Sequence, residues 1–196
     1  MRIGVFGGTF DPPHLGHLIL AAEAHYQLAL DRLFWVLTPI PPHKLGQAVT
    51  DSEARLDMVR AAIAGNPAFE LSRVDLDRPG PHFAVDTVRL LRGDFPGAEM
   101  VYLIGGDSLR DLPTWHLPQA LVDEVDAFGV MRRPGDEIDL SHLESALPGL
   151  AVKVHFIDAP LLEISASQVR QRIRENRPFR YYLPAPVYEL VNTLHL

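Results

Sequence analysis

The sequence predicts an α/β fold, a parallel sheet with helices on both faces, and three observations carry that prediction. Short apolar runs recur along the 196 residues, at 2–6, 32–37, 100–104 and 127–131, as expected of strands buried on both faces. Segments of helical composition or with helix-starting signals lie between them. Two of the strands run straight into paired glycines, Gly7-Gly8 and Gly105-Gly106, and such a turn lets the backbone approach a ligand with no Cβ in the way. The length suits one compact domain with a real core.

Taken in order, the first unit says most. Residues 2–6 read as a strand and residues 18–30, rich in Ala and Leu, as a helix. Between them stands Gly7-Gly8-Thr9-Phe10-Asp11-Pro12-Pro13-His14-Leu15-Gly16-His17. A helix beginning at such a turn offers free N–H groups and a positive dipole end to an anion. His14 and His17, three apart, point the same way once the helix begins, and two imidazoles there suit donation to a phosphoryl group. Either histidine alone would read as an ordinary surface residue. A zinc site would bring a third Cys, His or carboxylate in a recognisable pattern, and the sequence has neither HExxH nor any cysteine. GxGxxG and GxxxxGK[ST] are also absent, so the turn is neither a dinucleotide fingerprint nor a Walker loop.

The second strand, 32–37, carries Trp35 as core and leads into Thr38-Pro39-Ile40-Pro41-Pro42-His43-Lys44. This stiff segment ends in two candidate cations at the carboxyl edge of the sheet, where α/β folds bind ligands; a rigid linker is the plain alternative. Thr50-Asp51-Ser52-Glu53 reads as a capping box with Thr50 as cap, opening a helix that stops at Gly65. Residues 69–74 form a third strand, Pro79-Gly80-Pro81 breaks the chain, and 85–91 is a helix. After strand 100–104, Asp107 suits ribose hydroxyls or, equally, a helix N-cap. Trp115, in a loop between prolines, suits an aromatic platform for a flat ring or, equally, plain core. Strand 127–131 ends in Arg132-Arg133, a pair able to grip phosphate or simply to be solvated. Residues 136–150 look peripheral, and 152–157 alternates like an edge strand. Ser165 or Ser167 caps a further helix through Arg174; on the segment alone an ordinary amphipathic surface helix is the favoured reading, although its N–H groups and Arg170 can also reach an anion.

Composition narrows the classes. A net charge of −7 and a pI near 5.7 argue against a nucleic-acid-binding face, though not against a small anion held by local donors. No apolar run is long enough to span a bilayer, and the N-terminus shows no signal-peptide pattern. Lack of cysteine rules out disulfides and thiolate chemistry and fits a reducing, cytoplasmic setting. A homo-oligomer is compatible with the sequence.

Residues 7–17 resemble the GGTFDPxHxGH signature of the HxGH nucleotidyltransferase superfamily. Segments PPHK, GGDS with PTW, RRPG, ISASxxR and LPAPV follow in the order found in bacterial nicotinate mononucleotide adenylyltransferases. That resemblance implies a Rossmann-like sheet of nucleotidyltransferase type over 1–196, with residues 164–196 as a helical part that completes the ATP site. It implies transfer of the adenylyl group of ATP to nicotinate mononucleotide, with Mg²⁺ arriving on the ATP and no protein metal site. His14 and His17 would be catalytic. ATP would meet Gly7, Gly8, Thr9, Phe10, His14, Gly16, His17, Gly105, Asp107, Arg133, Ser165, Ser167 and Arg170. The mononucleotide would meet Thr9, Lys44, Phe83, Ala84, Asp107 and Trp115. Two departures stand out: ISAS where the family has ISST, and Phe83-Ala84 where it often has Tyr-Thr. Nicotinamide mononucleotide or pantetheine phosphate as acceptor, cytidylyl transfer, and a non-catalytic ATP sensor are the rival readings.

Overall fold

A computed structural model describes residues 1–39, 49–131, 138–160 and 162–194. Six strands, β1 (Arg2–Gly8), β2 (Arg32–Leu37), β3 (Phe69–Ser72), β4 (Glu99–Gly105), β5 (Ala127–Met131) and β6 (Val154–Ile157), form one sheet in the order β3-β2-β1-β4-β5-β6. Every pairing is parallel. The strand order reverses between β1 and β4, and in such sheets the crevice beyond the carboxyl ends at that point takes the ligand.

The two-residue repeat of the strands sorts the core onto two faces. Ile3, Val5, Phe34, Val36, Met100, Tyr102, Ile104, Phe128 and Val130 face one side, where α3 (Ala84–Asp94) adds Val85, Val88 and Leu91. Phe6, Leu33, Trp35, Leu37, Val101 and Leu103 face the other, under α1 (Leu15–Gln27) and α2 (Ser52–Ile63). Gly4 and Gly129 lie on that second face because there is no room for more: a Cβ at Gly4 would stand 2.4 Å from Leu33 Cδ1, and one at Gly129 2.5 Å from Leu103 Cδ2.

The remaining helices are α4 (Gly106–Asp111), α5 (Pro118–Glu124), α6 (Leu140–Ala146), α7 (Ala166–Arg174) and α8 (Ala185–Thr193). Val169 of α7 and Val187 and Val191 of α8 bury with Leu183 against Met58 of α2, in a third apolar cluster. That cluster fastens the C-terminal helices to the main body. No described helix is long and apolar enough to cross a membrane.

Several boundaries differ from the sequence reading, each for a physical reason. Asp51, not Thr50, caps α2, its carboxylate accepting from the Glu53 and Ala54 N–H groups. Thr50 is committed elsewhere, its N–H donating to Asp11 Oδ2 and its carbonyl accepting from Arg55 Nε. The helix ends at Ile63 with Ala64 as its C-cap, ahead of Gly65. Helix α1 begins three residues earlier than composition suggests and ends before Ala29, whose φ is 48°. β3 stops at Ser72. Val152 is 82% exposed in a short 3-10 turn, outside β6, so the alternation holds only from Val154.

Candidate active site

The signature turn is built from below. β1 delivers Gly7 and Gly8 to the sheet edge, and Phe10 then takes a left-handed conformation (φ 47°) that drops its ring into the core, 5.0 Å from Trp35 and 5.4 Å from Phe6. A side chain at Gly8 would collide with that ring, 2.8 Å away. The Phe10 side chain is thus packing, and only its backbone faces the site. A non-glycine residue in this region costs on the order of 1–3 kcal/mol and persists where the surroundings over-determine it.

The two histidines then cap α1 on each other. His14, at the N-cap, donates its N–H to His17 Nδ1 at 3.1 Å, and the His17 N–H returns to the His14 carbonyl at 3.0 Å. The rings stack 3.7 Å apart at 26°, and His17 meets Phe10 edge-on at 5.2 Å. An Nδ1 that accepts is unprotonated, so the proton of neutral His17 resides on Nε2. The turn presents that N–H as a fixed donor. Here two histidines take the places that Ser and Glu occupy in an ordinary capping box.

Beneath the turn, Arg55 is a cross-brace that sequence reading passed over as part of a structural helix. It is 2% exposed and donates to the carbonyls of Thr9, Thr38, Pro39 and Thr50 and to Ser52 Oγ. Burial pushes its pKa down from the usual arginine value, with Asp11 and Asp51 partly restoring it. Asp11 is itself buried. On its other side Arg170 donates to the Asp11 carbonyl and lies 3.7 Å from its carboxylate. α7 is thereby tied to the signature turn.

The start of α7 is a true capping box on Ser165, which accepts from the Gln168 N–H at 3.2 Å, while Gln168 Oε1 accepts from the Ser165 N–H at 3.0 Å. Ser167 lies beside it, Oγ to Oγ 3.0 Å. Gly16 packs against this segment, a Cβ there standing 3.8 Å from the Ile164 carbonyl. At the end of β4, Gly105 and not Asp107 caps α4. Asp107 is exposed in the first turn, its Oδ1 folded back 2.6 Å from where a Gly105 Cβ would be.

Across the switch point, Tyr102 connects the turn to a second wall. Its hydroxyl lies 3.2 Å from a Cβ built on Gly7, its ring meets Trp115 edge-on at 6.4 Å, and burial, helped by Asp75, raises its phenol above the ordinary range. Trp115 is half-buried against the core. Phe83 stacks on the next residue, His116, at 3.8 Å and 20°, so Phe83, Ala84 and Trp115 are brought to one place. Lys44 and Arg133, with His43 and Arg132, lie outside the described residues. Among the described residues no group of three or more His, Asp or Glu stands together to hold a metal ion.

Comparison with known proteins gives the family. The cytidylyltransferase-like family matches residues 5–172. The nicotinate-nucleotide adenylyltransferase of Bacillus subtilis is 39% identical over 190 residues, 97% of this chain and 95% of that protein. The chain belongs to the nicotinate-nucleotide adenylyltransferase family. A Thermomicrobium roseum protein named "probable nicotinate-nucleotide adenylyltransferase" is 44% identical over 97% of this chain and 88% of its own length. In fold, the family member from Plasmodium falciparum, nicotinic acid mononucleotide adenylyltransferase complexed with NaAD, superposes with a TM-score of 0.82 over 100% of this chain and 96% of that one, at 20% identity.

Proposed function

We propose that the chain transfers the adenylyl group of ATP to the 5′-phosphate of nicotinate mononucleotide, giving deamido-NAD and pyrophosphate. The observation that carries this is the stacked His14–His17 pair, set at the switch point of the sheet between the α7 cap and the Trp115 wall. The names of the relatives support the acceptor.

A phosphate oxygen of the mononucleotide attacks the α-phosphorus and a P–O bond forms. The bond from that phosphorus to the β-phosphate bridging oxygen breaks, and its electron pair leaves on pyrophosphate. No proton need move, because a phosphate monoester with a second pKa near about 6 is mostly a dianion at pH 7. Catalysis is then positioning plus stabilisation of charge on the transferring group. His17 donates from Nε2 to the α-phosphate, and His14 supports the same oxygens or their β/γ neighbours. Gly7, Gly8 and Thr9 align the two substrates through the backbone. Ser165, Ser167 and Arg170, in the C-terminal part from 164 to 196, hold the ATP side together with Gly105 and Arg133. Asp107 accepts from ribose hydroxyls. Trp115 stacks on the pyridine ring beside Phe83 and Ala84, and Lys44 contacts phosphate. Mg²⁺ comes as part of the ATP substrate, carried by phosphates and water.

Pyrophosphate release measured with nicotinate mononucleotide, nicotinamide mononucleotide and pantetheine phosphate, each with ATP and with CTP, tests the reading. Highest kcat/KM for ATP with nicotinate mononucleotide is expected. A higher value for another pair reassigns the acceptor or the nucleotide, and no release with any pair makes the chain a nucleotide-binding protein without turnover.

A further inference from the structure

Just past β3, a buried ion pair sits under the wall assigned to the mononucleotide. Asp75 is 2% exposed. Its Oδ1 accepts from Thr87 Oγ1 at 2.6 Å and from Arg78 Nη2 at 2.9 Å and Nε at 3.2 Å, and its Oδ2 accepts from Thr38 Oγ1 at 3.3 Å. Arg78 reaches on, donating to the carbonyls of Pro81 at 3.1 Å and Phe83 at 3.3 Å. One guanidinium thus runs from a buried carboxylate to two carbonyls of the loop that ends at the start of α3.

Geometry gives this clamp an outward consequence. In a trans peptide the C=O and N–H point opposite ways. Drawing the Phe83 carbonyl inward to Arg78, where the Asp86 and Thr87 N–H groups also meet it, turns the Ala84 N–H away from the clamp. The same pull fixes the Phe83 ring on His116, next to Trp115. Burying an ion pair is expensive, and apolar replacements are often no less stable, so stability alone is a weak reason for this one. Burial also holds the neighbouring His82 below the usual imidazole range, Asp75 pulling it up and Arg78 pushing it further down.

We propose that Asp75 and Arg78 are positioning residues for the acceptor, setting residues 81–84 against His116 and Trp115 so that the mononucleotide meets a preformed wall. The proposal rests on the adenylyl-transfer reading. The clamp's partners lie at positions 38, 81, 83 and 87, none of them assigned to ATP, which is assigned to the signature turn, the end of β4, Arg133 and the start of α7.

The test compares Arg78→Met, Arg78→Lys and Thr87→Val with the parent enzyme, titrating nicotinate mononucleotide and ATP separately in pyrophosphate release and recording thermal unfolding of each variant. Arg78→Met is expected to raise KM for the mononucleotide about tenfold, the size of one or two lost hydrogen bonds, with KM for ATP within about twofold and kcat little changed. Arg78→Lys keeps the charge beside Asp75 but lacks the planar fork needed to span both carbonyls. It should therefore recover the unfolding temperature without recovering KM. Thr87→Val, nearly isosteric, should shift the mononucleotide KM in the same direction by less. If Arg78→Met does not fold, the other two variants decide the matter. Equal rises in both KM values, or a mononucleotide KM that simply follows unfolding temperature across the series, overturn the proposal. A parent that turns over ATP with a different acceptor only would instead sink the functional reading on which it stands.

Discussion

At the residue scale, the His17 ring is held by the N–H of His14 on Nδ1, the stacked His14 ring and the rings of Phe10 and Phe6. Such preorganisation is what makes a donor useful in a transition state, since nothing must be reorganised as charge develops. His17→Ala should lower kcat by roughly 10²–10³, the loss typical of one oxyanion donor, with binding of the mononucleotide little altered. Steady-state rates at saturating substrates check this, and turnover within a few-fold of the parent would remove His17 from its role. Both histidines were readable from sequence because their spacing and the glycine turn before them lie within a single stretch. Arg55 was not. Its meaning depends on carbonyls 46 and 17 residues away, at Thr9 and Thr38, and those meet only when three sheet-edge segments converge. The Asp75–Arg78 clamp was hidden similarly, although its residues stand close in sequence: a carboxylate and an arginine three apart read as solvated until the core closes over them.

At the element scale, the C-terminal helices are set against the site by two ties, the apolar joint to α2 and the Arg170–Asp11 contact. Met58, fully buried, is the α2 side of that joint, and Val169 of α7 lies one residue from Arg170. Met58→Ala should cost about 2–5 kcal/mol of stability. It should also raise KM for ATP more than KM for the mononucleotide, because α7 carries Ser165, Ser167 and Arg170. Denaturant unfolding and separate substrate titrations measure the two effects; equal changes in both KM values would mean that α7 does not serve ATP in particular. Sequence left the α7 cap open between Ser165 and Ser167; Ser165 takes it, because Gln168 stands three residues on and accepts the Ser165 N–H on its Oε1. The α2 cap was misplaced by one residue, since Thr50 and Asp51 are both good caps and the choice was made by Asp11 and Arg55, far off in sequence. Lys153 shows the same limit. Its ammonium donates to the Val122 and Val125 carbonyls at the end of α5, satisfying a helix C-terminus, where alternation alone had it facing outward from an edge strand.

For the whole molecule, the strand segments and their parallel, doubly covered character were visible in the apolar runs, and the paired glycines at the ends of β1 and β4 marked the two strands that flank the switch point. Strand order itself was not visible, because adjacency is decided by which helices cross which face. The consequence of that order is the central claim: phosphates react at the mouth of β1, with ATP gripped from the α7 side and the acceptor from the Trp115 side. The most direct test is a crystal structure of the chain with its dinucleotide product. A phosphate oxygen is expected within about 2.7–3.2 Å of His17 Nε2, the adenosine half toward α7 and the pyridine ring against Trp115. A dinucleotide bound with its phosphates away from the His14–His17 pair, or with its two halves reversed, would contradict it.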